Sequence, residues 1–353
     1  MNMSGSDPKR FTIGISIGDP AGIGPEICVK ALSHSHIYEK AIPVIYTDRA
    51  ILEKALELTR KEFALNAISN AGSARGNFGT LDFIDTGFLK GGECKYGEVN
   101  AISGEASFQY VVSAIQSALA GETVAIVTGP ISKEAINLSG HNFAGHTEIL
   151  NHYTGVNHSS MLLSAGVLNV IHTTTHVSLK EACALITKER VYKTIRLAGT
   201  ALMLMGKEKR GIGVAGLNPH SSENGLFGKE EAEAITPAIE QARSEGLNVQ
   251  GPIPPDTVFV KALGGVYDIV VAMYHDQGHI PVKLSGFGID PNTGLFTKMK
   301  GVNATIGLPI IRTSVDHGTA FDKAGKNEAN EGSLVDAINM AVTFAKNRRN
   351  VSL

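Results

Sequence analysis

The sequence predicts an α/β protein built on a largely parallel sheet, and three observations carry that reading. Short apolar, strand-like runs alternate with amphipathic helical stretches along the chain. Glycine accounts for 39 of 353 residues, enough for many tight strand-to-helix turns. A composition 43% hydrophobic and 19% charged is that of a globular protein, and the length allows two domains with substantial cores.

The first strand is expected at Arg10–Ile17, and a glycine loop at 18–24 feeds a helix over Pro25–Leu32. Proline is tolerated at the start of a helix, and Glu26 suits the positive end of its dipole. Further strands are expected at 42–47, 80–85, 123–128, 160–164, 167–172, 211–216 and 267–273. Helices are expected at 48–58, 103–120, 178–186, 188–205, 229–245 and 333–348. In the last of these, Leu334, Ile338, Ala341, Val342 and Ala345 form one apolar stripe. Ser285–Gly301, rich in Gly, Pro and Asn, reads as a loop. There is no internal repeat, low-complexity tract or long linker to mark a domain boundary.

The 32 Lys and Arg against 34 Asp and Glu leave a formal charge of −2, so nothing electrostatic argues for nucleic-acid or membrane partners. Three cysteines, Cys28, Cys94 and Cys183, with no CxxC spacing, fit a reducing compartment and argue against a cysteine metal site. The N-terminal stretch MNMSGSDPKR lacks the apolar centre of a signal peptide, and the apolar run Met161–Ile171 is too short to span a bilayer. The expectation is a soluble, cytoplasmic protein.

Three histidines each follow an apolar, strand-like run: His176 after VLNVIHTTTH, His220 after GIGVAGLNPH and His275 after YDIVVAMYH. Ligands of open α/β sheets bind beyond the carboxyl ends of the strands. Three imidazoles delivered there from separate strands can converge as a catalytic zinc-type site with an open fourth position. A single such histidine is more often a hydrogen-bonding loop residue, and the repetition is what shifts the balance. His172, inside its strand, reads as a core histidine. His279 lies four residues after His275, but Gly278 and Pro281 argue against a helix, so it reads as a loop residue. Asp276 is a ligand, a general base or an orienting partner for a metal-bound imidazole, the last being preferred.

Three further segments suit anions or a nucleotide. GDPAGIGPE (Gly18–Glu26) joins a strand to a helix start, where backbone can approach an anion, though it is not the G-x-G-x-x-G pattern. A glycine turn needed only for packing explains it equally well. TGPISKEAINLSGHNFAGHTE (Thr128–Glu148) carries Ser132, Lys133, His146 and Thr147 after a strand, groups suited to a phosphate or carboxylate. Its plainer reading is a solvated loop in which Thr147 starts a helix. SVDHGTAFDKAGKNEAN (Ser314–Asn330) has the elements to wrap an adenosine, and alone would be an ordinary glycine-rich turn.

Taken in order, GDPAGIGPE, TGPISKEAIN…GHTE, TTHVSL, GLNPH…ENG, GPIPPDT, AMYHDQG and GVNATIGLPIIRTSVDHGTA resemble the 4-hydroxythreonine-4-phosphate dehydrogenase family across nearly the whole chain, from Thr12 to Ala337. GDPAGIGPE and DHGTAFDKAGKNEAN are also similar to cofactor segments of isocitrate and isopropylmalate dehydrogenases. The resemblance implies an isocitrate/isopropylmalate-dehydrogenase-like fold, with two α/β/α domains and an interdomain cleft. A discontinuous cofactor-side domain is expected at 1–130 plus 303–353, and a metal, substrate and dimerisation domain at 131–302. It implies a homodimer whose active sites draw on both subunits, and NAD or NADP held outside a Rossmann site. The cofactor residues would be Gly18, Asp19, Gly22, Gly24, His317, Gly318, Thr319 and Asn330. One divalent metal (Zn, Mg or Co) would be bound by His176, His220 and His275.

Substrate contacts carry over to His146, Thr147, Lys283, Asn303 and Arg312. Lys283 and Arg312 supply the point charge and the planar fork that phosphate and carboxylate recognition calls for. The implied reaction, placed in pyridoxine biosynthesis, oxidises the C3 hydroxyl of a 4-phosphorylated 3-hydroxy acid, and the 3-keto product loses carbon dioxide. Lys283 is the candidate for polarising the oxygen or relaying a proton, with Asp276 as rival base. The wording NPHSSENGLFGKEE and YHDQGHIPVKLSGF is closer to a sister branch acting on D-threonate or D-erythronate 4-phosphate. An extra segment also stands between Lys283 and Asn303. A phosphate acyltransferase on a related fold would explain the anion loops but leaves the histidines and the adenosine-like segment without a role. A metal-dependent hydrolase would need the histidines but no dinucleotide segment.

Overall fold

The computed structural model describes residues 10–89, 94–207, 211–292 and 296–348, and the side chains of 296–299 are not described. The polar stretch up to residue 9, read above as lacking a signal peptide, lies outside the described residues. The chain divides into two compact units, Met1–Asn157 with Leu308–Ala345, and His158–Gly307 with Lys346–Leu353. The second unit is therefore inserted into the sequence of the first.

The first unit begins β1 (Phe11–Ser16), α1 (Gly24–Leu32), β2 (Ala41–Thr47), α2 (Arg49–Thr59), β3 (Ala64–Ala67), β4 (Thr80–Asp85), α3 (Ala101–Leu119), β5 (Ala125–Thr128), α4 (Lys133–Leu138) and α5 (His146–Thr154). The inserted unit runs β6 (Ser160–Ala165), β7 (Leu168–His172), α6 (Leu179–Ala184), α7 (Lys188–Met205), β8 (Ile212–Ala215), α8 (Thr236–Ser244), β9 (Val249–Ile253), α9 (Pro255–Leu263), β10 (Ile269–Ala272), α10 (His275–Gly286), β11 (Phe287–Ile289), β12 (Phe296–Met299) and β13 (Val302–Ile306). The chain then adds β14 (Ile311–Val315) and α11 (Gly332–Asn347).

In the first unit the strand order is β3-β4-β2-β1-β5-β14, all parallel. Continuous apolar runs such as Ile13, Ile15 and Ile17, or Ala125, Ile126 and Val127, are fully buried, as strands covered on both faces must be. Helix α3 can lie against α4 because Gly104 has no side chain; a Cβ there would sit 2.0 Å from the Ala135 carbonyl oxygen. Gly104→Ala is expected to cost about 1–3 kcal/mol or more by overpacking against backbone, read as a lowered Tm by scanning calorimetry. In the inserted unit the order is β13-β6-β7-β10-β8-β9. There β7, β10, β8 and β9 are parallel, whereas β6 pairs antiparallel with both β7 and β13.

Helix α11 buries the apolar stripe expected of it, with Leu334, Ile338, Ala341, Val342 and Ala345 all turned inward. Two expectations are corrected. The loop expected at 285–301 contains a two-stranded antiparallel ribbon, β11 with β12, although 293–295 lie outside the described residues. Its strands are short and rich in Phe, and Asp290 accepts from the Asn292 N–H at 2.8 Å as the chain turns. The segment after His275 is a helix, α10, despite Gly278 and Pro281. Pro281 stands in its second turn, so the proline removes a single intrahelical bond rather than preventing the helix. Among the described residues no helix is long and apolar enough to cross a membrane.

Candidate active site

In the inserted unit, hydrogen bonds tie together the ends of the strands that precede the three singled-out histidines. Beyond β7, the Thr174 hydroxyl donates to the Met273 carbonyl at 2.8 Å. Beyond β10, the buried Gln277 amide accepts from Met273 N–H at 2.7 Å and donates to the Gly216 carbonyl, past β8, at 2.8 Å. Ser178 caps the helix that follows, its hydroxyl accepting from Glu181 N–H at 3.2 Å.

Four imidazoles gather on this scaffold: His176 and His275 with ring centroids 5.8 Å apart, His275 stacked on His279 at 3.6 Å and 12°, and His172 4.7 Å from His279. The stacking follows from α10 being helical, which puts residues four apart on one face. His279, read as a loop bystander, is thus beside His275. The signal was its spacing, outweighed in the sequence by the glycine and the proline. Gly278 lets the cluster close, since a Cβ there would meet His172 Nε2 at 2.3 Å.

The partners fix the tautomers, because carbonyl and carboxylate oxygens only accept. His275 Nδ1–H donates to Asp276 Oδ1 at 2.6 Å, His279 Nδ1–H to the His275 carbonyl at 2.9 Å, and His172 Nδ1–H to the Met161 carbonyl at 3.2 Å. Each Nε2 is left as the lone-pair atom. Asp276, exposed, thus stands where an orienting partner for His275 would stand. Lys283 holds its Nζ 4.5 Å over the Phe287 ring. A cavity of about 490 Å³ is lined by His176, Ser178, Glu181, Tyr274, His275 and Asp276.

His220 is exposed on a left-handed turn past β8. Among the described residues, no three His, Cys, Asp or Glu side chains are close enough together to hold a metal ion. The lone pair of His275 and the neighbouring imidazole of His176 suit a divalent cation, but one chain does not gather His176, His220 and His275. His220, the second of the three in chain order, stands on the exposed turn past β8.

Burial holds His172 neutral, its pKa pushed down to about 3 by desolvation and then by the neighbouring His279, while desolvation and His275 lower His279 to about 4. A folded-state value below the ordinary 6.5 means that the unfolded chain takes the proton first. The stabilising contribution of His172 is therefore complete above about pH 6.5 and is lost progressively as pH falls toward its folded value. Tm of the metal-free protein is expected to drop between pH 7 and pH 5, and to drop less in His172→Asn. An equal drop in both would exclude His172 as the source.

The first unit carries the remaining candidates. At the start of α5, His146 Nε2 is sealed from solvent without a hydrogen-bond partner. Burial, then the positive charges of Arg312 and Lys133, hold its pKa well below the usual range. Arg312, on β14, is buried and donates to the Thr128 hydroxyl at 2.8 Å, and desolvation lowers its pKa to about 9. Thr147 is the second residue of α5, half-buried beside His146. Lys133 approaches the same helix start, its Nζ 4.0 Å from the position a Cβ would take on Gly145. Two cations, a neutral imidazole and a helix N-terminus are groups of the kind that suit an anion. In the inserted unit, Asn303 on β13 likewise has a buried, unpartnered Oδ1.

The two segments similar to cofactor loops also meet in the first unit. Ile23 N–H donates to the Thr319 carbonyl at 3.0 Å, and Ala329 N–H to Glu26 Oε1 at 2.7 Å. Lys30 Nζ donates to the carbonyls of Asn327 and Ala329 at 3.1 and 2.9 Å. Gly18 (φ +85°) and Gly24 bring the loop against the sheet: a Cβ would lie 2.4 Å from the Pro130 carbonyl oxygen at the first and 2.1 Å from that of Ile17 at the second. Gly22 backs onto Thr319, while Gly318 and Asn330 are exposed and His317 is half-buried. Buried Asp19 accepts from Ala21 N–H at 2.9 Å, and desolvation raises its pKa to about 6.

The profile of the family described as pyridoxal phosphate biosynthetic protein PdxA matches residues 39–341. The D-threonate 4-phosphate dehydrogenase of Cupriavidus necator is 44% identical over 337 residues, covering 95% of this chain and 98% of its own length. The crystal structure of 4-hydroxythreonine-4-phosphate dehydrogenase from Klebsiella pneumoniae superposes with a TM-score of 0.84 at 40% identity, over 96% of this chain and 99% of the other. A β-decarboxylating dehydrogenase from Thermococcus kodakarensis, 13% identical with a TM-score of 0.50 over 94% of this chain and 82% of its own, shares the fold expected from the sequence. The chain belongs to the PdxA family of dehydrogenases.

Proposed function

We propose that the chain oxidises the C3 hydroxyl of D-threonate 4-phosphate, passing hydride to NAD or NADP, with loss of carbon dioxide from the 3-keto product. The observation that carries the choice of a phosphorylated acid is the sealed, unpartnered Nε2 of His146 near the buried Arg312 guanidinium and the exposed Lys133. An Nε2 without a partner between two cations costs stability unless an anionic or hydroxyl-bearing ligand satisfies it. The near-full-length likeness to the Cupriavidus enzyme favours D-threonate 4-phosphate within that class. Binding of 4-hydroxythreonine 4-phosphate is the second reading, favoured by the likeness to the Klebsiella structure.

Arg312 and Lys133 neutralise the anion, and Thr147 and the N–H groups opening α5 supply hydrogen bonds to it. Gly18, Asp19, Gly22 and Gly24 with His317, Gly318, Thr319 and Asn330 hold the nicotinamide dinucleotide, the exposed backbone at Gly318 admitting its adenosine. Asp276 Oδ1 keeps the proton of His275 on Nδ1, so that Nε2 faces a ligand. Lys283 and Asn303 contact the substrate, with Lys283 Nζ relaying the hydroxyl proton. A divalent cation held by these histidines would polarise the substrate hydroxyl. Because one chain does not gather the three, a homodimer with active sites drawn from both subunits is the arrangement that completes the set.

The test offers D-threonate, D-erythronate and 4-hydroxythreonine 4-phosphates with NAD and with NADP, with and without chelator, following reduced cofactor. D-threonate 4-phosphate is expected to give the highest kcat/KM, and chelator to abolish it. No reduced cofactor from any combination would sink the proposal.

A further inference from the structure

His220 opens a run of five non-glycine residues in the left-handed region: His220, Ser221, Ser222, Glu223 and Asn224, with φ of 53°, 54°, 67°, 47° and 57°. Each such L-residue costs about 1–2 kcal/mol relative to right-handed backbone, so the turn persists only if its surroundings hold it. One side chain does most of the holding. Glu231 is 3% exposed, and its Oε1 accepts from the backbone N–H groups of Leu217 at 2.8 Å and Asn218 at 2.7 Å. Its Oε2 accepts from Asn218 Nδ2 at 2.8 Å, which also donates to Glu230 Oε2 at 2.8 Å. Asn218, fixed at both N–H and side chain, presents its carbonyl to Ser221 N–H at 3.1 Å and so closes the turn around His220.

The local sequence makes room for this carboxylate. A Cβ on Gly216 would lie 2.6 Å from Ser221 Oγ and 3.1 Å from Glu231 Oε1, so only glycine lets strand end, turn and carboxylate approach together. Glu231 itself begins a π-helical turn, Glu231–Ile235, inside the stretch expected from the sequence to be one regular helix. Such turns recur at functional sites because the extra residue re-aims a side chain.

We propose that Glu231 is the positioning residue for His220, fixing the left-handed turn so that the imidazole is presented in one orientation to the cation. Glu231 touches neither substrate nor cation; it acts through the backbone of Leu217 and Asn218. This inference rests on His220 being a cation ligand, and the experiment separates the two ideas. Full-length protein is stripped with chelator and titrated with Zn²⁺ alone for wild type, His220→Ala, Glu231→Ala and Glu231→Gln. Amide exchange at Leu217 and Asn218 is followed in the metal-free proteins, and kcat and KM in the loaded ones.

Glu231→Ala is expected to weaken Zn²⁺ binding about 10–100-fold, as loss of a group supporting a metal ligand commonly does. It should also deprotect both amides, and lower kcat more than it raises KM. Glu231→Gln retains a carbonyl oxygen for the two N–H groups and should recover most of the affinity; it also stands in if the alanine variant does not fold. A lowered Tm with unchanged Zn²⁺ affinity would reduce Glu231 to a structural role and overturn the proposal. If wild type and His220→Ala bind Zn²⁺ equally, the ligand reading of His220 has failed. Amide exchange then decides alone: protection unchanged in Glu231→Ala overturns the positioning role, and its loss upholds Glu231 as the holder of the turn.

Discussion

Arg312→Met is expected to raise KM for the phosphorylated substrate about 100-fold while leaving kcat within a few-fold. At about 1.4 kcal/mol per decade, that is roughly 3 kcal/mol, within the 2–5 kcal/mol typical of truncating one partner of a buried, hydrogen-bonded charge pair. The residue is 3% exposed on β14, and desolvation already works against its charge, which an incoming anion would relieve. Methionine keeps much of the volume, limiting the loss of packing. Arg312→Lys restores charge without the planar fork, so partial recovery would assign part of the effect to bidentate geometry. The Michaelis constant and a competitive-inhibition constant for inorganic phosphate, measured together, check the prediction. A variant with unchanged values for both would remove Arg312 from substrate recognition.

His275→Ala is expected to have the other large effect, at least a 1000-fold fall in kcat/KM, equivalent to about 4 kcal/mol of transition-state stabilisation. Zn²⁺ affinity should fall with it. The imidazole is fixed by its bond to Asp276, stacked on His279 and set at the start of α10, so no neighbour can take its place without moving the helix. Asp276→Asn is the graded companion. An amide can still accept from Nδ1–H through its oxygen but carries no charge, so the cation should be held about 10–100-fold less tightly with the fold unchanged. Calorimetric Zn²⁺ titration and steady-state kinetics report both. Full turnover and full metal content in His275→Ala, or in His220→Ala, would end the proposed role of the trio.

Much of this was legible in the residues. Parallel strands buried on both faces announce themselves as apolar runs, and β1, β2, β5, β7 and β10 fall where those runs are. The stripe of α11 followed from a local rule that tertiary structure did not override. Other elements gave weaker signals. β3 is a four-residue edge strand, ALNA, with no fully buried side chain and little β-propensity. In α10, Gly278 and Pro281 counted against a helix, yet packing on the sheet outweighs both, and the glycine is required by His172. That same misjudgement hid His279. The histidines on strand ends were visible one by one, but the left-handed turn that carries His220 depends on Glu231 and Gly216, which no periodicity exposes.

The insertion of residues 158–307 into the first unit also orders events during synthesis. Strand β5 has β1 on one side and β14 on the other, and Arg312 and Thr128, bonded across that second pairing, are 184 positions apart. A nascent chain leaving the ribosome therefore completes the contiguous inserted unit while β5 still shows an unpaired edge, the kind of surface that invites pairing with another chain. The anion receptor shares this delay, since Arg312 arrives on the strand that closes the edge. Until β14 docks, the nascent first unit carries His146 and Lys133 without the Arg312 guanidinium that Thr128 will accept from.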